Sequence, residues 1–218
     1  MHKIVSNLKE IKGKLNQLKP KLNENLKIIA VSKTFLMKDI EPLIYYGHED
    51  FGENKIQEAV SKWSVIKDKN PTLKLHMLGK IQTNKVKFLL PLFDYIHSLD
   101  NLKLAQKISD EEIKKKKKLK IFIQVNIGDE TQKNGIEMEN LNTFYSKCIN
   151  DLNLNIIGLM CLPPQDKNAT ECFLLLKKLA KDLNIIELSM GMSNDYEEAV
   201  KCGSTYIRVG SSIFGKRV

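Results

Sequence analysis

Short β-branched apolar runs alternate with longer segments of helical period along the whole chain. The first segment, Ile4 to Leu18, repeats apolar residues every three or four positions and predicts a helix, and the first apolar run, Lys27 to Ser32, predicts a strand. Further strands are predicted at 49–51, 73–78, 95–98, 120–126, 155–160, 185–188 and 205–209. Helices are predicted between them at 37–46, 55–67, 83–90, 101–117, 138–150, 170–183 and 196–201, and a last short one from Ser211.

Eight strands, each followed by a helix, predict a TIM-type (β/α)8 barrel of the α/β class with an extra N-terminal helix. An open doubly wound sheet is the alternative, but it usually has fewer strands per domain. No linker, repeat or low-complexity tract interrupts the 218 residues. We therefore expect one domain that spans residues 1–218.

The sequence leads us to expect a cytoplasmic protein. No apolar stretch approaches the roughly 20 residues that cross a bilayer, and the N-terminus has no signal-peptide pattern. The four cysteines are scattered, without Cys-x-x-Cys pairs or histidines at metal-ligand spacing. We expect reduced, mostly buried thiols rather than disulfides or zinc ligands, in a protein that does not associate with membranes.

The formal net charge is +9, and much of the excess lies in one run, Lys114 to Lys118. Asp110, Glu111 and Glu112 precede this run, which is typical of the solvated C-terminal end of a helix. A nucleic-acid site would instead spread basic residues over a face, often with stacking aromatics. We therefore expect no nucleic-acid partner.

In a barrel of this type the active site lies at the C-terminal ends of the strands, so the residues directly after each run are the candidates. They are expected to meet around one mouth. These positions hold Lys33, Gly52-Glu53-Asn54, Gly79, Ser98 with Asp100, Asn126, Met160-Cys161, Ser189 to Ser193, and Arg208 to Ser212.

Two of these segments, Ser189 to Ser193 and Arg208 to Ser212, are rich in Gly and Ser and precede helices. Backbone N–H groups at such helix starts bind phosphate, and barrels often do so after their last two strands. We take Ser193, Gly210 and Ser211 as candidate phosphate contacts. The alternative is that the glycines only permit tight turns.

Strand alternation puts Ile29, Val31 and Lys33 on one face of the first strand. If that face lines the interior, Lys33 points into the mouth, where poor hydration would lower the pKa of its ammonium. A neutral lysine forms Schiff bases with carbonyl compounds. The alternative is a lysine that extends to solvent from a strand end.

Arg208 shares a face with Tyr206 and is also expected to point inward, where a buried guanidinium needs an acceptor. The ring nitrogen or phosphate of a cofactor would serve. A structural ion pair with a barrel-mouth carboxylate such as Glu53 is the alternative.

Motifs in collinear order from Ile29 to Gly215 resemble those of the pyridoxal phosphate homeostasis proteins. They are Ala30 to Lys33, Phe51 to Asn54, His76 to Gly79, Gln82 to Lys85, His97 to Asp100, Gln124 to Ile127, Lys133 to Gly135, Gly158 to Met160, Leu188 to Ser193, Arg208 to Ser211 and Ile213 to Gly215. One departure is Lys80, where the family usually has proline.

The resemblance implies a barrel related to the N-terminal domain of alanine racemase, with pyridoxal 5′-phosphate held as a Schiff base on Lys33. It implies that Arg208 lies near the ring nitrogen of the cofactor and that Lys133 takes part in cofactor handling outside the main pocket. The implied phosphate contacts are again Ser193, Gly210 and Ser211, and the implied pocket-lining residues are Asn54 and Met160.

These residues favour cofactor binding, storage or delivery over amino-acid turnover. An arginine beside the ring opposes its protonation and weakens it as an electron sink. Racemisation also needs an acid or base on each face of the α-carbon, and alanine racemase takes one of these from a β domain that we expect to be absent after Val218. We expect a monomer that supplies PLP-dependent apoenzymes; a PLP-dependent amino-acid racemase and a class I aldolase remain alternatives.

Overall fold

The computed structural model describes residues 2–18, 26–128, 134–164 and 167–215. Its strands are β1 Lys27–Val31, β2 Asp50–Glu53, β3 Lys74–Met77, β4 Tyr95–Leu99, β5 Lys120–Asn126, β6 Ile136–Glu137, β7 Ile156–Met160, β8 Glu187–Ser189 and β9 Tyr206–Val209. Its α-helices are α1 Lys3–Leu18, α2 Met37–Tyr45, α3 Ile56–Lys69, α4 Val86–Leu92, α5 Leu102–Lys115, α6 Leu141–Ser146, α7 Ala169–Asp182, α8 Tyr196–Cys202 and α9 Ser211–Phe214.

Eight of these strands form a closed parallel barrel in the order β4-β3-β2-β1-β9-β8-β7-β5, and β4 pairs with β5 to complete the circle. The predicted (β/α)8 barrel with an extra N-terminal helix is confirmed. The two-residue strand β6 pairs only with β5 and lies outside the circle. Periodicity did not predict β6, because two residues are too few to show alternation.

The apolar core has two parts that the barrel wall separates. The outer layer, between wall and helices, contains Ile28 and Ala30 of β1 together with most of the buried aliphatic residues. The barrel interior contains Ile29 and a small set of larger side chains. This division confirms the predicted alternation along β1. The other buried members of the interior set are Tyr95, Phe122, Met160 and Tyr206.

Strand β2 is longer than predicted, and this changes the position of Glu53. Gly52 and Glu53 lie within the strand rather than after it. The Glu53 carboxylate is fully buried. It accepts hydrogen bonds from Ser32 Oγ at 2.7 Å and Trp63 Nε1 at 2.9 Å, and pairs with Lys62 Nζ at 2.9 Å. Glu53 therefore faces α3 in the outer layer and is not a barrel-mouth carboxylate.

The run Lys114 to Lys118 lies at the exposed end of α5 as predicted, except that Lys117 is less solvated than expected. Helix α5 ends at Lys115, and Lys116 takes a left-handed conformation with φ of 50°. The half-buried Lys117 then turns inward, and its Nζ donates to the carbonyls of Leu90 at 2.7 Å and Phe93 at 2.9 Å. Part of the positive charge thus binds the end of α4 instead of facing solvent.

The cysteines follow the expectation from sequence. All four are buried and none forms a disulfide in the described structure. Burial raises the pKa of the Cys148 and Cys161 thiols to about 12, so both are protonated and unreactive at neutral pH. Within the described ranges, no helix has the length and apolar character needed to cross a bilayer.

Candidate functional site

A cavity of about 880 Å³ opens at the C-terminal ends of β1, β7 and β9. All seven residues that the sequence proposed for a cofactor site line it, so the structure brings together side chains from five different βα units. They are Lys33, Asn54, Met160, Ser193, Arg208, Gly210 and Ser211.

Lys33 is placed by the end of β1. The preceding Ser32 directs its hydroxyl to Glu53 in the outer layer, so the half-buried Lys33 lies on the opposite face and lines the cavity. The next residue, Thr34, has φ of 70°, which is sparsely populated for a β-branched residue. Its N–H donates to the Glu58 carboxylate at 2.6 Å, which helps to hold the turn. The chain thus bends away directly after Lys33.

Ser193 joins the two Gly and Ser-rich loops. Its Oγ accepts the backbone N–H of Gly210 at 3.2 Å and that of Ser212 at 3.4 Å. These amides lie at the start of α9 and converge on one polar oxygen, as they would on an oxygen of a phosphate. This convergence favours the predicted phosphate contacts.

The two glycines of these loops have different roles. Gly191 has φ of +92°, and a Cβ there would lie 2.6 Å from the Cβ of Ala199, so the tight-turn explanation holds for Gly191. Gly210 has φ of −112°, and a Cβ there would meet Val31 no closer than 3.5 Å. Neither the turn nor packing requires glycine at position 210.

Arg208 is buried at the base of the cavity. Its Nη1 donates to Ser189 Oγ at 2.7 Å and its Nη2 donates to the Cys161 carbonyl at 2.9 Å. Burial lowers the pKa of the guanidinium. Because Glu53 lies in the outer layer, the predicted alternative of an Arg208–Glu53 ion pair is wrong.

A buried polar chain continues from Ser189 into the barrel interior, and sequence reasoning missed it. His97 Nδ1 lies 2.8 Å from Ser189 Oγ, and His97 Nε2 lies 3.0 Å from His76 Nδ1. His76 Nε2 in turn lies 2.9 Å from Asp50 Oδ1. Both histidines are the third residues of the adjacent strands β3 and β4. This shared position is the sequence feature that could have predicted their contact.

One residue of the predicted loops lies apart from this cavity. Lys80, the departure from the family pattern, donates from Nζ to Asn134 Oδ1 at 2.8 Å after β3. Lys133 lies outside the described residues.

Comparison with known proteins assigns the chain to a family. The alanine racemase N-terminal domain model matches residues 6–218. The pyridoxal phosphate homeostasis protein of Pasteurella multocida is 38% identical over 88% of this chain and 87% of its own length. That of Escherichia coli K12 is 31% identical over 100% and 98%.

Comparison with solved structures supports the same family. PipY of Synechococcus elongatus with PLP bound superposes with a TM-score of 0.86 and 31% identity, over 97% of this chain and 100% of PipY. The chain therefore belongs to the pyridoxal phosphate homeostasis proteins, within the alanine racemase N-terminal domain family.

Proposed function

We propose that this chain binds pyridoxal 5′-phosphate in the cavity and serves PLP homeostasis by storing the cofactor or delivering it to PLP-dependent apoenzymes. The observation that carries the proposal is the convergence of an amine, a guanidinium and two Ser and Gly-rich loops on one cavity of about 880 Å³. The names of the relatives and the PLP-bound PipY structure support it.

Each group suits one part of the cofactor. In this proposal Lys33 holds the aldehyde as a Schiff base, and Arg208 lies beside the ring nitrogen. The phosphate is bound by Ser193 and by the start of α9 at Gly210 and Ser211. Asn54 and Met160 line the remaining wall. Bound PLP would supply an electrophilic carbonyl and an electron-accepting ring.

The surroundings of the cavity favour holding the cofactor over turning over amino acids. Arg208 next to the ring would oppose protonation of its nitrogen and weaken the electron sink. Racemisation needs a proton donor or acceptor on each face of the α-carbon. Among the described residues that line the cavity there is no tyrosine or histidine, and Lys167 Nζ donates to the Gly128 carbonyl at 2.9 Å. We therefore propose a binding protein rather than a racemase.

Residues 1–218 are proposed to act as one domain, a monomer of 25.0 kDa in the cytoplasm. The four buried thiols suit a reducing compartment. Light scattering coupled to gel filtration measures the mass directly, and a dimer mass would contradict the monomer.

The decisive experiment is the absorption spectrum of the protein after incubation with PLP, before and after borohydride reduction. Wild type is expected to show a band near the visible–violet boundary, and reduction should fix the cofactor to a peptide that contains Lys33. Lys33→Ala should lose both the band and the fixed adduct. Lys167→Ala is the matched control, because Lys167 lines the same cavity but donates to Gly128. Absence of a cofactor band in wild type would refute the proposal.

Activity assays distinguish the proposed binding protein from a racemase and from a class I aldolase. Incubation of the PLP-loaded protein with L-alanine or L-serine should leave the optical rotation unchanged, and its loss would indicate a racemase. A class I aldolase would form its Schiff base with a sugar phosphate and would be colourless as purified.

A further inference from the structure

Four residues, Asp50, His76, His97 and Ser189, form what we call the polar relay. It crosses the barrel interior from Arg208 to Asp50, the first residue of β2, whose side chain is 19% exposed at the N-terminal end of the barrel. Both imidazoles are fully buried, and each lies against an aromatic ring: His76 stacks on Tyr95 at 4.2 Å and His97 on Phe122 at 4.3 Å. The relay therefore joins the cofactor cavity to the opposite end of the molecule.

The groups at the two ends of the polar relay determine which atom donates in each of its hydrogen bonds. The ionised Asp50 carboxylate only accepts, so His76 Nε2 carries a proton and donates to it. A neutral His76 then accepts at Nδ1 from His97 Nε2, and a neutral His97 accepts at Nδ1 from the Ser189 hydroxyl. The lone pairs of Ser189 Oγ are left for Arg208 Nη1, which only donates.

The protonation states required for this order agree with the surroundings. Burial lowers the pKa of both His76 and His97, so both rings are neutral at pH 7. Burial alone would raise the pKa of Asp50, but the hydrogen bond from His76, with the charged Lys27 nearby, lowers it on balance.

We propose that Asp50 is a positioning residue for Arg208, acting from the far end of the barrel by fixing the direction of every hydrogen bond in the polar relay. The proposal rests on the proposed function only in placing Arg208 beside the cofactor. It assigns a role to two buried histidines and a serine that cofactor binding itself does not use.

Reversal of the relay shows why direction matters. If His97 donated from Nδ1 to Ser189 Oγ, that oxygen would face two N–H donors, from His97 and from Arg208, and its own hydrogen would need a new acceptor. A buried donor without an acceptor is destabilising, because it has lost its hydrogen bond to water and gained none in return. A carboxylate at position 50 excludes the reversed order, whereas an amide or water, which both donates and accepts, does not.

The direct test is ¹⁵N NMR of histidine side chains in the cofactor-free protein. The chain has only four histidines, and His48→Gln removes one of the two that lie outside the relay, which simplifies assignment. In wild type at pH 7, His76 and His97 should both be neutral with the proton on Nε2. Asp50→Asn, a nearly isosteric change at a partly exposed site, should give mixed tautomers. A proton on Nδ1 of either ring in wild type would overturn the proposal, as would unchanged tautomers in Asp50→Asn.

Cofactor affinity tests the effect on Arg208. Ser189→Ala removes the acceptor of Nη1 and is expected to weaken PLP binding about tenfold or more, with a smaller loss for Asp50→Asn. The matched control is Ser204→Ala, since the buried Ser204 hydroxyl donates only to backbone carbonyls, including that of Met190 at 2.8 Å. Equal affinity of Ser189→Ala and Ser204→Ala would overturn the proposal. Failure of wild type to bind PLP would instead refute the proposed function, and the NMR result would still decide the direction of the relay.

Discussion

The barrel interior and the outer layer are built from different kinds of residue. The outer layer is largely aliphatic and takes members from the helices as well as the strands, such as Leu8 of α1 and Leu89 of α4. The interior has few aliphatic side chains and holds aromatic rings and the polar relay. Buried polar groups add little net stability but define one geometry when all are hydrogen-bonded. The comparison indicates that the outer layer stabilises the fold while the interior orders the site.

Replacing a large buried side chain of the outer layer by alanine should separate these two roles most clearly. Leu89 is fully buried in α4 and does not line the cofactor cavity. Leu89→Ala is expected to lower the free energy of unfolding by about 2–5 kcal/mol, because it removes buried methyl groups and leaves a cavity. Urea unfolding measures the loss. PLP affinity of the folded protein should stay at the wild-type value, and a clear change in affinity would contradict the division of roles.

An added methyl group at the barrel wall should cost less stability but affect the site. A Cβ on Gly158 would lie 2.4 Å from the Phe122 ring and 2.4 Å from the Glu187 carbonyl oxygen. Overpacking of this kind costs about 1–3 kcal/mol, and displacement of Phe122 would disturb His97, which stacks on it. Gly158→Ala should therefore weaken PLP binding as well as stability.

The control for this change is Gly13→Ala. Gly13 lies in the middle of α1, and a Cβ there would meet nothing within 4 Å, so we expect about 0.5–1 kcal/mol of added stability and unchanged binding. If both alanine variants bound PLP equally well, the interior would be less important to the site than we infer.

Stability is also expected to depend on pH. Burial lowers the pKa of His48 from its ordinary 6.5 to about 4, so between these values the unfolded chain binds a proton that the folded protein excludes. Stability should fall as pH decreases through this window, by up to about 1.4 kcal/mol per pH unit for each such histidine. The lowered pKa of Asp50 acts only below its ordinary 3.8 and does not offset this loss.

The variant His48→Gln measures how much of this pH dependence comes from His48 and how much from the two interior histidines. The His48 ring packs against Phe51 of the outer layer at 5.2 Å. His76 and His97 lie in the interior, and their pKa values are also lowered. Urea unfolding at pH 7, 6 and 5 should show that His48→Gln removes only the smaller part of the slope. Complete loss of the slope would mean that the interior histidines do not contribute.

Local pattern predicted most of the fold and the cavity. The β-branched runs predicted all eight barrel strands, and the rule that sites lie at strand ends, together with the family resemblance, selected the seven candidate residues. Failures came from contacts between residues far apart in the chain. Alternation alone could not show that Glu53 stays within β2 and pairs with Lys62, or that Lys117 turns back to α4. The polar relay joins strands as distant as β4 and β8, which no local pattern reports.

The pairing of β1 with β9 has a consequence for biosynthesis. Ile29 of β1 pairs with Arg208 of β9, so the first and last strands of the described chain meet beneath the cavity. Lys33 is contributed from one side of this seam, and Gly210 and Ser211 from the other. A nascent chain that has emerged only as far as α8 would lack two of the three proposed phosphate contacts, so PLP would select chains whose barrel has closed. Bound ligand would then slow reopening at the seam, because ligands stabilise only the state that binds them.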